Sequence, residues 1–242
     1  LSFSYAESDV GEWMPRHDVF FFDASTGVTD DDTIVSDYWF GDINDDLMPE
    51  VSVGRVLFDE YDNAFTACSL FVVRTIRYEQ NPPSGYLNKM LLTSEQIFEN
   101  YFGKSISESL SVNNPVNMED VKYYDEDGTY DDEITLNTIN QGVGIYHTAS
   151  HGSTYCHMLA SGDPITNSDI DAYLNVNDKS YIFFGDPCFL RSVDYDSYIE
   201  HLMSDPSTWA VASLANSRYG FVNMSYPGRS DYQSLYFLKA FS

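Results

Sequence analysis

A chain of 242 residues with 12 Lys+Arg against 38 Asp+Glu, a formal charge of −26, is long enough for a substantial core and too acidic for nucleic acid or anionic lipid as a partner. Apolar residues make up 43% of it, yet no apolar stretch approaches the ~20 residues of a membrane span, which excludes helical membrane insertion. Basic polypeptides are the partners this charge favours, the 19 tyrosines and scarce lysines suit a secreted or cell-surface setting, and Leu1 reads as a processing boundary.

In chain order, His17 to Asp23 and Val51 to Val56 read as strands around an aspartate-rich loop. In that loop Asp42, Asn44 and Asp46 alternate as a calcium loop begins. Leu47 at the sixth position and Val53 at the twelfth exclude an EF-hand. A looser oxygen-ligand calcium site with Glu50 is the remaining metal expectation, with solvated acidic turns at Asp30 to Asp32 and Asp125 to Asp132. Asp62 to Glu79 reads as a helix whose stripe of Ala64, Cys68, Phe71, Val72 and Thr75 makes Cys68 a core cysteine. Asn81-Pro82-Pro83-Ser84-Gly85 ends that helix. It divides an N-terminal lobe, residues 1–84, from a lobe of residues 85–242, the two expected to pack as one compact domain.

Lys89 to Thr93 reads as a strand, followed by Ser94 and Glu95. Val143 to Ala149 is a second strand, closed by Ser150, His151, Gly152 and Ser153. Thr166 to Leu174 is a helix with Thr166 or Ser168 as N-cap, and Tyr181 to Gly185 is a third strand, closed by Asp186, Pro187 and Cys188. A strand, a crossover helix and a strand make a parallel pair, so His151 and Cys188 run off the same carboxyl edge, where open α/β sheets keep their sites. Trp209 to Leu214 is a further core strand, leading into Ala215 to Tyr219. His17 and His201 belong to no constellation.

Three cysteines cannot all pair, so at least one is a thiol or joins another chain. The strand-end Cys188 beside His151 suits thiol acyl transfer: the thiolate attacks, and an imidazole takes its proton and returns it to the leaving amine. Gly152 has no Cβ to block close approach, and its N–H with that of Cys188 would hold the oxyanion. His147, His151, Cys156 and His157 form a second constellation of the right number for a zinc hydrolase, with poor spacing.

These residues resemble the gingipain-like cysteine peptidases, relatives of caspases and legumains, over roughly Ser36 to Phe241. Pro49, Glu50, Val51, Ser52, Val53, Gly54 and Arg55 match the family's Pro-acid-x-x-x-Gly-Arg segment, and Tyr78-Glu79 its helix end. His151-Gly152-Ser153 matches its His-Gly-Ser turn, and Asp186-Pro187-Cys188 its strand end. Departures fall around the nucleophile: proline precedes it, and Phe189, Leu190, Arg191 and Ser192 follow where a glycine is usual. The resemblance implies a caspase-like α/β three-layer sandwich, with a mostly parallel sheet flanked by helices. It implies a cysteine endopeptidase forming a thioester acyl-enzyme on Cys188, with His151 as base and acid and Glu95 orienting the imidazole. It makes Asn216, Ser217, Arg218 and Tyr219 a wall of the substrate pocket, Tyr219 as an aromatic lid, with Glu99 an approximate counterpart of the acid that binds a basic residue. Arg218, turned inward, would select an acidic residue instead. No cofactor is implied for the chemistry, calcium is implied as a structural ion, and protein or peptide substrates and a prosegment or further domains as partners. An inactive binding or adhesion module on the same fold is the alternative of another class.

Overall fold

The structure is a computed structural model that describes residues 2–3, 16–23, 28–35, 38–44, 50–56, 64–99, 101–114, 118–192, 195–204, 207–220 and 228–240. The chain divides into two compact units, Leu1–Cys68 and Ser69–Ser242. In the first, β1 (Ser2–Phe3) runs parallel to β4 (Arg55–Val56), and β2 (Arg16–Asp23) pairs antiparallel with β3 (Val28–Val35). Asp30, Asp31 and Asp32 are therefore strand residues opposite Phe21, Phe20 and Val19, not the acidic turn their charge suggested. After the single helical turn α1 (Tyr38–Gly41), the Glu50 carboxylate closes a loop by accepting from the Ile43 N–H (2.9 Å) and the Asn44 amide (2.8 Å). Of the expected strand at Val51 to Val56, only Arg55–Val56 pairs.

Helix α2 (Ala64–Gln80) crosses the division. Its less exposed face carries Cys68, Phe71 and Thr75 as expected, but its buried member is Arg74 and not Val72: the guanidinium lies 3.0 Å from the centre of the Trp209 ring, a cation–π contact, while Val72 is exposed. Cys68 is half-buried, not the core cysteine expected.

The second unit is built on a five-stranded, wholly parallel sheet. Its members are β5 (Lys89–Ser94), β8 (Glu119–Tyr124), β9 (Ile145–Ala149), β13 (Tyr181–Gly185) and β14 (Ala210–Leu214), in the spatial order β14-β13-β9-β5-β8. Two short antiparallel pieces sit at its carboxyl edge. One is the hairpin β6 (Gln96–Phe98) with β7 (Tyr101–Phe102); the other is β10 (Gly152–Ser153), β11 (Cys156–His157) and β12 (Ile165–Thr166). The connecting helices are α3 (Lys104–Val112), α4 (Asp132–Gln141), α5 (Asn167–Tyr173) and α6 (Tyr198–Ser204), with α7 (Arg229–Lys239) at the end. Thr166 caps α5 with a full capping box through Asp169, as the Thr-x-x-Asp spacing required.

Sheet strands buried on both faces read as continuous apolar runs, and alternate residues serve opposite layers. Met90 and Leu92 of β5, Ile145 of β9 and Phe184 of β13 meet Ile106 and Leu110 of α3 and Leu238 of α7 in one core cluster. Tyr146, Tyr181 and Phe183 point the other way, Phe183 onto Tyr198 of α6 at 6.2 Å. On that side α4 bonds to the end of α5 through Asn140, which donates to Tyr173 O (2.9 Å) and accepts from Asn175 N–H (2.6 Å). Two helical layers around one sheet are the expected sandwich. Each buried large apolar side chain contributes about 1.5–3 kcal/mol.

The chain leaves β5 towards the β8 edge and leaves β9 in the opposite direction, towards β13 and β14. With right-handed crossovers the two connections lie on opposite faces, which opens a crevice between the carboxyl ends of β5 and β9. Glu95 follows one of those ends and His151 the other.

Candidate active site

Register brings the two expected reactive residues together. Thr148 of β9 is paired with Gly185 of β13, and His151 and Cys188 each lie three residues beyond that pair. The Asp186 N–H donates to Thr148 O (3.2 Å), which keeps the turns adjacent as they leave the sheet. A Cβ placed on Gly152 would lie 2.5 Å from Pro187 Cβ, 2.9 Å from Cys188 O and 3.3 Å from Cys188 N, so the His-Gly turn packs directly on the Pro-Cys turn and admits no side chain there.

Nε2 of His151 lies 2.6 Å from the carbonyl oxygen of Ile97 in β6. Because a carbonyl can only accept, Nε2 carries the hydrogen, and the neutral ring holds its free lone pair on Nδ1. The ring of Phe98 adds a T-shaped contact at 6.0 Å. Glu95 acts on the backbone: one carboxylate oxygen accepts the main-chain N–H of His151, the other those of Ala160 (2.9 Å) and Ser161 (3.2 Å). Burial holds Glu95 above its ordinary value against the pull of those N–H groups. The hydrogen bond on the ring is to a main-chain oxygen, while the Glu95 carboxylate bonds the turn that carries the ring and interacts with His151 through its charge. No residue type marks a carbonyl in the sequence, whereas Glu95 stood out by its charge.

Burial pushes the Cys188 thiol up, opposed by the Gly220 N–H, which points at Sγ at 3.2 Å, and by its own N–H. Phe189 follows in the left-handed region with φ 60, a conformation that costs a non-glycine residue about 1–3 kcal/mol. It is held there by its N–H to Arg218 O (2.8 Å) and by its ring against Tyr219 at 4.7 Å. Tyr219 is 64% exposed beside the cysteine turn. Arg191 N–H reaches Asn216 O (3.1 Å), so residues 216 to 218 run alongside 189 to 191, with Ser217 partly exposed between them. The Asn216 side chain turns inward, its Nδ2 2.8 Å from Asp186 O. Glu99 is exposed at the tip of the β6–β7 hairpin, next to Phe98.

The remaining histidines and cysteines fall elsewhere. His147 is fully buried in β9, its ring tilted against that of Phe184 (4.7 Å) with Nε2 3.8 Å from the Asp186 carboxylate. His157 is buried among Tyr146, Phe183 and Tyr198, its Nε2 3.1 Å from Tyr146 OH, and burial pushes it down to about 3, so it stays neutral. Cys156 is buried with Sγ 3.3 Å from Ser153 Oγ. Among the described residues no group of three or more His, Cys, Asp or Glu could hold a metal, so His147, His151, Cys156 and His157 do not converge as a zinc site. Of the expected calcium ligands, Asp42 is buried, Asn44 and Glu50 bond to each other, and Asp46 lies outside the described residues. His201, expected to be ordinary, is paired with Asp171 at 2.8 Å and Asp196 at 2.9 Å. Among the described residues no helix is long and apolar enough to cross a membrane.

The crystal structure of the arginine-specific cysteine proteinase gingipain R is similar over 82% of this chain and 46% of its own, with a TM-score of 0.65 and 17% identity. The complex of the pro- and mature domains of RgpB from Porphyromonas gingivalis matches over 77% and 45%, with a TM-score of 0.62 and 19% identity. The chain thus spans less than half the length of these solved relatives, and the likeness carries the fold. No curated protein sequence matches it. The model of peptidase family C25 matches residues 3–242, nearly the whole chain, and its His-Gly and Cys turns meet at one sheet edge: the protein belongs to peptidase family C25.

Proposed function

We propose that the chain is the reactive part of a cysteine endopeptidase that cleaves polypeptides through a thioester on Cys188. The observation that supports this reading is the packing of Gly152 on Pro187 and Cys188, which brings the turn that carries His151 onto the turn that carries the partly exposed Cys188. In the proposed cycle Nδ1 of His151 takes the thiol proton and the sulfur attacks the scissile carbonyl carbon. The N–H groups of Gly152 and Cys188 hold the resulting oxyanion. Collapse breaks the C–N bond as His151 returns the proton to the leaving amine. Water, deprotonated by His151, then attacks the thioester, releasing the acid and restoring the thiol. A thiol raised by burial holds little free thiolate at neutral pH, which is why a general base is required.

The finer reading is cleavage after Arg or Lys. It rests on the charge of −26, on Glu99 at the hairpin beside Phe98 and His151, on the exposed ring of Tyr219, and on the arginine specificity of the similar gingipain R. Secretion or surface display, a prosegment partner and a structural calcium in the loop of residues 42–50 belong to the same proposal. The solved complex of the pro- and mature domains of RgpB supports the prosegment.

The test is labelling with a peptidyl acyloxymethyl ketone, followed by mass mapping. Label on Cys188, lost in Cys188→Ala and kept in Cys156→Ala and Cys68→Ala, is the expected result. An unlabelled Cys188 in protein that retains its native circular dichroism would leave a binding module on the same fold.

A further inference from the structure

The loop after β14 holds an asparagine that faces the nucleophile turn and not the solvent. Nδ2 of Asn216 lies 2.8 Å from Asp186 O, 3.4 Å from Pro187 O and 3.5 Å from Ser230 Oγ. The first two acceptors are the carbonyls of the two residues immediately before Cys188. The same turn is held from three other directions. Asp186 N–H donates to Thr148 O of β9 (3.2 Å), the Asp186 carboxylate accepts from Ser234 Oγ of α7 (2.6 Å), and Gly220 N–H donates to Cys188 Sγ (3.2 Å). The fit leaves no slack, since a Cβ on Gly220 would lie 2.4 Å from Asp186 O and 2.9 Å from Asn216 Nδ2.

A carbonyl in a peptide plane fixes the direction of the next N–H, and the plane of Pro187 carries the N–H of Cys188. Holding the carbonyls of Asp186 and Pro187 therefore aims both the thiol and the N–H that would face the oxyanion. We propose that Asn216 is a positioning residue for Cys188, acting through those two carbonyls and not as a wall of the substrate pocket. The inference rests on the peptidase reading of the same site. It assigns Asn216 to the aim of the nucleophile, leaving side-chain recognition to Tyr219 and the hairpin.

Asn216→Asp places an acceptor oxygen against two carbonyl oxygens, and Asn216→Ala removes the donor. Kinetics of inactivation by a peptidyl acyloxymethyl ketone separate the two roles, because KI reads the pocket and kinact reads the aim of the thiol. The expected result is a fall in kinact of about 10²-fold for Asn216→Asp, with a smaller fall for Asn216→Ala, from a small misplacement of reacting atoms. KI stays near the parent value, and peptide turnover follows with a loss in kcat and little change in KM. Buried Cys156 is the internal check on folding: its protection from iodoacetamide stays as in the parent. Gly220→Ala, which crowds the same contact from the other side, should reproduce the loss in kinact. A rise in KI or KM at unchanged kinact would make Asn216 a pocket residue and overturn the proposal, as would parent-like kinetics in all three variants. A parent that takes no label at all would sink the peptidase reading and the positioning role together, whereas a labelled parent with equally labelled variants sinks only the second.

Discussion

The imidazole Nε2 of His151 meets the carbonyl oxygen of Ile97 at 2.6 Å, which leaves Nδ1 as the atom able to take a proton. Replacing His151 with Ala is expected to lower kcat by about 10²–10⁴-fold, the usual worth of a general base, with the melting temperature little changed. His147→Ala should instead lower the melting temperature, because that ring is wholly buried against Phe184. Equal catalytic losses in both variants at unchanged melting temperature would assign the base wrongly.

Glu95 accepts three main-chain N–H groups, from His151, Ala160 and Ser161. Glu95→Gln turns one acceptor into a donor facing a donor, and leaving such a buried group unmatched costs about 1–3 kcal/mol. Denaturant unfolding measures that cost. A melting curve identical to the parent's would show that the carboxylate does not hold the turn.

Gly152→Ala should damage turnover more than stability, since the new methyl must push on Pro187 and on Cys188 O. Gly54→Ala is the matched control, with nothing within 4 Å of its Cβ position. Comparing kcat/KM and melting temperature for the two variants checks it; a fully active Gly152→Ala enzyme would refute the close packing.

The part of the stability that His201 and Glu200 of α6 contribute should fall as pH rises from about 5 to 8, against the opposite contribution of buried His157, which favours the fold as pH climbs towards 6.5. Burial pulls His201 down, but Asp171 and Asp196 outweigh it and hold the imidazole above its ordinary value. The stabilisation is thus complete below the unfolded value of 6.5 and is lost as pH rises through the folded one. Glu200, on the same helix, is pushed up to about 7 by burial, so its protonated form favours the folded state and that preference fades as pH climbs from 4.5 towards 7. Both act in one direction. Glu200→Gln, which can still accept the Ser197 N–H, should raise the melting temperature above the parent's at pH 8 and by much less at pH 5; a difference between the two proteins that does not change with pH would contradict the assignment.

Specificity is read with a peptide library varied at the residue before the cleaved bond. Arg or Lys should be preferred, and Glu99→Gln should weaken that preference by roughly tenfold at low salt, less at high salt, because an exposed charge is screened. Strong cleavage after Asp or Glu, reversed by Arg218→Glu, would show that the pocket has the opposite sign.

The sequence by itself determined the sheet and its edge. Lys89 to Thr93, Val143 to Ala149 and Tyr181 to Gly185 are apolar because both faces of a parallel sheet are buried, and the residues after each run, Glu95, His151 and Cys188, follow from where the runs stop. The edge strand β8, which reads Glu-Asp-Val-Lys-Tyr-Tyr, carries no such run and was not legible. Tertiary structure alone decided which groups touch the reactive residues. The Ile97 carbonyl and the Gly220 N–H are main-chain atoms that every residue type possesses, and the inward turn of Asn216 depends on partners 30 positions away. It also decided that Arg74 and not Val72 faces Trp209, and that Asp30 to Asp32 lie in a strand, since pairing with Val19 to Phe21 overrides the charge of the local stretch.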